Sequence, residues 1–392
     1  MARRLFMHVG TPKSGTTYLQ DTLWSHKSDL ASHGILVPLK GPLWHWAAAI
    51  EMGDRELDLG TRTGALQQLI AAINKWEGDV IVSSEFFLHA TREKVAEFFS
   101  QLNCDEIHVI ITARKLLLQV PSAWQQGVKN GNPVTYADFL ASAMEDREKK
   151  PFWRSHNTER IARRWSPNLP PRNVHIVVAP GRGAAPDELW RRFCSVTNID
   201  SQKFPGLSVS RNPTLGVAST ELIRKILSKS TMGSSSNSQL RRDGVVRNLA
   251  MGSLVQFPDE PIGCPIDFQP WFVEQSQSIT AAIEKNDYHI VGDLSEMRSS
   301  ILDVPDHKQP EDWRVLHAAL VGALGLMRER DAFRIAMVTE SQARRRELRE
   351  REIKLETALD ENRRLRSVRG GTKTVLNGLK RRFRRLLLKS AL

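Results

Sequence analysis

Four short apolar runs constrain this chain most: "RLFMHVG" (4–10), "DVIVSS" (79–84), "IHVIITA" (107–113) and "NVHIVVA" (173–179). None alternates apolar with polar residues, as a strand with one wet face does. Each therefore reads as a strand covered on both faces, the habit of parallel sheets. The segments between them carry helical spacing. "GTTYLQDTLWSHKSDLASH" follows the first run, "TRTGALQQLIAAINKW" precedes the second and "TREKVAEFFSQL" precedes the third. Such alternation predicts an α/β fold: a three-layer αβα, doubly wound parallel sheet with right-handed crossovers.

Beyond residue 180 the pattern becomes helical and irregular. The serine-rich "SKSTMGSSSNSQLRRDG" (228–244) reads as a surface loop or lid. From about residue 310 the chain reads as wholly helical, and Leu348, Leu355 and Leu359 give a faint heptad. The expected division is a body over 1–305, a helical extension over 306–362 and a basic tail over 363–392.

Charge is unevenly spread along the 392 residues. The net charge is +12, but residues 363–392 hold eleven Lys or Arg and no Asp or Glu, which leaves about +1 for residues 1–362. The basicity belongs to the tail, so no specific nucleic-acid partner is expected of the body. Cys104, Cys194 and Cys264 are odd in number and far apart, which fits a reducing compartment and excludes a disulfide framework or a zinc cluster. No run approaches the roughly 18 unbroken apolar residues of a membrane span. Thr11, Pro12, Lys13 and Ser14 interrupt the opening run too early for a secretory leader, so a cytoplasmic location is expected.

The first strand runs into "GTPKSGTTY" (10–18). A glycine-bearing turn between strand and helix lets unpaired backbone N–H groups surround an anion. Gly10 ends the strand, Pro12 stiffens the turn, Gly15 allows close approach, and Thr16 and Thr17 open the helix. The glycines keep the spacing of the nucleoside triphosphate loop G-x-x-x-x-G-K-[ST], but Thr16 stands where its lysine belongs and the lysine is Lys13. No strand here ends in the aspartate that would hold magnesium, so a metal-free anion site fits better.

These residues resemble the 5′-phosphosulfate loop of the sulfotransferases that use 3′-phosphoadenosine-5′-phosphosulfate (PAPS), written Pro-Lys-Ser-Gly-Thr-Thr-Trp. Pro12, Lys13, Ser14, Gly15, Thr16 and Thr17 match it, and Tyr18 replaces the tryptophan that stacks near the adenine. The family also binds the 3′-phosphate with an arginine at a strand end and a serine eight residues on, at the start of the next helix. Arg114 and Ser122 keep that spacing, although Lys115 and Leu116 replace the family's acidic residue or asparagine and its proline. An arginine fork and a hydroxyl suit a phosphate. "SRNPTLGVASTELIRKIL" (210–227) resembles a late segment of bacterial members, which implies Arg211 and Asn212 at the nucleotide. The resemblance covers roughly residues 1–300. It implies PAPS as co-substrate, no metal, and an acceptor hydroxyl that needs a general base.

Two residues compete for that role. The family's Lys-Thr-His aligns with Ser83, Ser84 and Glu85, so a carboxylate replaces the histidine base and a serine replaces the lysine. The other candidate is His45, between Trp44 and Trp46, in a region where some Golgi-type sulfotransferases carry their base. His8 and His108 read as core. Trp44, Trp46 and Trp124 are expected near the site, and their aromatic faces point to a carbohydrate or glycolipid acceptor. In the tail, Leu376, Leu379, Phe383 and Leu386/Leu387 share a helical face surrounded by Lys380, Arg381, Arg384 and Arg385, the form of an amphipathic helix on an anionic membrane surface. Two rival readings are a P-loop kinase or NTPase, and a non-catalytic nucleotide-binding module docked by its tail.

Overall fold

A computed structural model describes residues 2–53, 59–145, 150–181, 183–208, 214–229, 248–250, 252–301 and 303–368. Arg211, Asn212, the serine-rich segment from 230 to 244 and the tail beyond 368 lie outside them. Six strands form one sheet: β1 (Ala2–His8), β2 (Ile35–Leu36), β3 (Asp79–Ser83), β4 (Cys104–Ala113), β5 (Val174–Val178) and β6 (His289–Val291). Their order is β2-β3-β1-β4-β5-β6, and every pairing is parallel. The four strands expected from sequence are the inner ones. The edge strands β2 and β6 span two and three residues, too few to leave a sequence pattern.

The helices are α1 (Thr16–Ser25), α2 (Lys27–Ser32), α3 (Pro42–Met52), α4 (Ala65–Lys75), α5 (Arg92–Ser100), α6 (Leu116–Lys129), α7 (Tyr136–Glu145), α8 (Pro151–His156), α9 (Thr158–Trp165), α10 (Glu188–Thr197), α11 (Val217–Lys229), α12 (Gln269–Lys285) and α13 (Asp312–Val368). Every residue of β3 and β5 is buried, as their unbroken apolar runs require. Strand alternation sends Phe6, Ile81, Ile110 and Val177 to one face, where they pack with Leu19 and Leu23 of α1 and Trp190 and Phe193 of α10. The strand order reverses between β1 and β4, so the loops after these two strands flank the crevice where open α/β sheets place ligands.

The chain divides into two compact units, Met1–Ala323 and a second beginning at Leu324. Over its described residues the second unit is the helical stretch to Val368, on which Met327, Phe333, Ile335, Leu348, Ile353 and Leu359 are exposed.

Candidate functional site

The loop between β1 and α1 is built by backbone handedness. Gly10, Lys13 and Gly15 all have positive φ, at 43°, 64° and 91°. Proline holds φ near −65°, so left- and right-handed residues alternate over Pro12–Gly15, the pattern of an anion-binding nest. Glycine is needed twice: a Cβ on Gly10 would meet Thr16 Cγ2 at 2.5 Å, and one on Gly15 would meet Leu189 Cδ2 at 2.3 Å. Gly15 caps α1 with no side-chain hydrogen bond, so the first N–H groups of a ten-residue helix remain available to an anion.

Beneath the loop lies a polar chain that sequence reasoning missed by reading His8 as core. Ser14 Oγ donates to the Thr11 carbonyl at 2.6 Å and lies 2.6 Å from Thr112 Oγ1. His8 bridges Thr112 Oγ1 (3.3 Å) and Ser83 Oγ (2.7 Å). Satisfying each hydroxyl once sets the direction: Ser83 donates to Nδ1, Nε2–H donates to Thr112, and Thr112 donates to Ser14. Burial pushes the His8 imidazole down to about 3, so it stays neutral. His8, Ser83 and Thr112 are polar residues near the ends of three adjacent strands, and that grouping was the available signal.

One face of α6 lies against the loop. Gln119 Nε2 donates to Thr11 Oγ1 (3.0 Å) and to the Pro12 carbonyl (2.9 Å). Lys13 Nζ donates to Gln126 Oε1 at 3.2 Å, a neutral partner. Burial lowers the Lys13 ammonium below its ordinary range, and the Glu85 charge opposes that shift. Arg114, exposed just beyond β4, donates from Nη1 to the Lys13 carbonyl at 3.2 Å.

The geometry corrects three expectations. Ser122 is not at a helix N-terminus: α6 already begins at Leu116 and runs through Pro121, and Ser122 Oγ donates to Leu118 O at 3.4 Å. The helix start expected there comes from the resemblance, and Pro121 lies inside α6. The Leu117 N–H is held instead by Ser299 Oγ at 3.1 Å. Ser14 and Thr16 turn their hydroxyls to protein partners, leaving that of Thr17 exposed. Trp124 is buried, donates to the Val134 carbonyl at 3.0 Å and stacks on Tyr136 at 4.7 Å, lining a separate small cavity with Glu221, Arg224 and His307. Tyr18 is half-buried, and its enclosed hydroxyl beside Gly206 finds no partner among the described residues.

Glu85 follows β3 at the start of a 3-10 turn, Glu85–His89, that Ser84 caps. Its Oε2 accepts from Thr16 Oγ1 at 2.5 Å and from Gln20 Nε2 at 3.4 Å. Among the described residues its Oε1 accepts no hydrogen bond. Phe86, partly exposed, lies beside it with Trp46 edge-on at 6.3 Å. His45 is enclosed. Its Nε2 donates to the Pro38 carbonyl at 3.0 Å, and its Nδ1 accepts from the Ser83 N–H at 3.3 Å. Burial depresses it to about 4, opposed by those backbone contacts. Nδ1 thus ties α3 to the end of β3, and Nε2 ties it to the segment between β2 and α3.

Among the described residues no group of three or more His, Cys, Asp or Glu is placed to hold a metal ion. No described helix is long and apolar enough to cross a membrane. A solved sulfotransferase from Alicyclobacillus acidocaldarius is similar over 63% of this chain and 97% of that one, at 17% identity and a TM-score of 0.38. No family model matches the chain, and no curated protein matches it.

Proposed function

We propose that the protein is a PAPS-dependent sulfotransferase that moves a sulfuryl group to an acceptor hydroxyl. One observation carries this reading: two motifs 101 residues apart meet, with Arg114 donating to the carbonyl of Lys13. The donor set of Lys13, Arg114, Thr17 and the uncapped N-terminus of α1 is cationic and N–H-rich, which suits a phosphosulfate.

PAPS, when bound, supplies the sulfuryl group. Glu85 Oε1 takes the proton of the acceptor hydroxyl as that oxygen bonds to sulfur. Lys13 and α1 meet the negative charge left on the bridging oxygen when its bond to sulfur breaks. Thr16 and Gln20 hold Oε2, so they orient the carboxylate without blocking its other oxygen. Between the two candidate bases, Glu85 is favoured because His45 has neither nitrogen free of backbone contact. Phe86 and Trp46 offer an apolar aromatic edge beside Glu85, which favours a carbohydrate or glycolipid acceptor. The basic tail is read as a docking element for an anionic membrane surface. Loss of liposome binding after deletion of 370–392 supports that role, and unchanged binding removes it.

The test of the enzyme reading is incubation of the full chain with labelled PAPS and glycan and lipid extracts. Labelled product that disappears in Glu85→Gln supports it. Product formation that persists in Glu85→Gln but is lost in His45→Ala, with the fold intact, returns the base to His45.

A further inference from the structure

The face of α6 that reads the loop does not end at Gln126. Gln119, Ser122, Gln126 and Lys129 recur at helical spacing along one side of that helix, and the first and third already bond the loop. Lys129 is the next residue of this stripe. It is half-buried, and among the described residues its ammonium meets no hydrogen-bond acceptor or carboxylate. A lysine in the last turn of a helix is ordinary, because it complements the helix dipole. That preference explains the charge but not the burial, since an unconstrained lysine extends its amine into water.

We propose that Lys129 is a second cation of the loop's anion site, acting beside Lys13 on the phosphosulfate end of the donor. This rests on the sulfotransferase reading. Lys129 follows Gln126, the hydrogen-bond partner of the Lys13 ammonium, by three residues on the same side of α6. Burial first, and the Lys13 charge second, hold Lys129 below the ordinary lysine range. The repulsion is mutual and is felt at the group that gives up its proton first. Neither lysine has a salt-bridged carboxylate among the described residues, and the Lys13 hydrogen bond goes to a neutral amide. Strand β3, Asp79–Ser83, contains no lysine or arginine and supplies no cation of its own. Two desolvated like charges, opposed only by the Glu85 charge at Lys13 and with no salt bridge among the described residues, are a cost to the ligand-free fold, and an anion with several negative oxygens removes it.

Calorimetry on the full chain tests this with 3′,5′-ADP and, separately, inorganic pyrophosphate, for wild type, Lys129→Gln and Lys129→Arg. Lys129→Gln is expected to weaken both ligands about ten-fold, the scale of one charged hydrogen bond, and Lys129→Arg to stay within about three-fold of wild type. The ligand-free Lys129→Gln protein is expected to melt no lower than wild type, because repulsion is relieved. Unchanged affinity for both ligands overturns the proposal, as does an affinity loss that comes with a lower melting temperature and is not rescued by arginine. A wild type that binds pyrophosphate but not 3′,5′-ADP ends the nucleotide reading, while Lys129 stands or falls on the pyrophosphate ratio. A wild type that binds neither overturns both.

Discussion

Strand β1 carries basic residues near both of its ends, and the two ends treat them in opposite ways. At the N-terminal end Arg3 and Arg4 both fork onto Asp79 of β3, at 2.5–3.1 Å. Burial pushes that carboxyl up, but the two arginines outweigh it and hold it below its usual 3.8. At the C-terminal end Lys13 bonds a neutral amide and feels the Glu85 charge without a salt bridge, Lys129 is lowered by burial and by Lys13, and α1 begins uncapped. The same sheet thus has one end where charge is paired by salt bridges and one where Lys13 and Lys129 have no salt-bridge partner among the described residues. A satisfied ion pair holds strands in register. An unsatisfied cation cluster under a helix N-terminus is a binding site.

Substitutions should separate the two ends. The largest effect is expected from Glu85→Gln: sulfuryl transfer falls about 10²–10⁴-fold, while 3′,5′-ADP affinity stays within about three-fold, measured by labelled-PAPS turnover and calorimetry. Acidification comes next, because it strikes the ends in turn. His45 is depressed from 6.5 to about 4 by burial, so its stabilising contribution is full above pH 6.5 and is lost as pH falls toward 4. That loss is worth up to about 3 kcal/mol, and His8 adds to it. Asp79, held below 3.8, keeps its contribution until lower pH. Melting curves should therefore fall first through the histidine window, and His45→Asn should flatten that limb. A wild type with constant melting temperature from pH 7 to 4 would contradict the buried neutral histidines.

Asp79→Asn is expected to lower stability in denaturant melts and to leave nucleotide affinity unchanged, since it removes the carboxylate that Arg3 and Arg4 share, far from the loop. Lys13→Ala should do the reverse. It lowers 3′,5′-ADP affinity about 100-fold with little change in melting temperature. If both variants shift stability alike, the distinction between the ends fails.

The inner strands could be read from sequence because burial on both faces leaves an unbroken Val/Ile pattern. The edge strands could not, since two or three residues carry no period. The loop was readable because Gly10 and Gly15 are demanded by backbone geometry, and Glu85 because it follows a strand already identified. Ser122 was placed at a helix start because the resemblance implies one there, whereas α6 begins earlier, where Ser299, 182 residues away from Leu117, accepts its N–H. His8 read as core since its neighbours in sequence are apolar. Its partners Ser83 and Thr112 come from strands that only the sheet brings beside it. Lys129 had no local signal at all: its meaning comes from the face of α6 on which it falls.

The proposed function requires that the C-terminal end of β1 hold a nucleotide phosphosulfate through Lys13 and Arg114. Calorimetric titration of the full chain with 3′,5′-ADP in a chelating buffer tests it most directly. Saturable binding without magnesium is expected, reduced about 100-fold in Lys13→Ala and at least about ten-fold in Arg114→Ala. Binding of ATP that requires magnesium, with no response to 3′,5′-ADP, would contradict it.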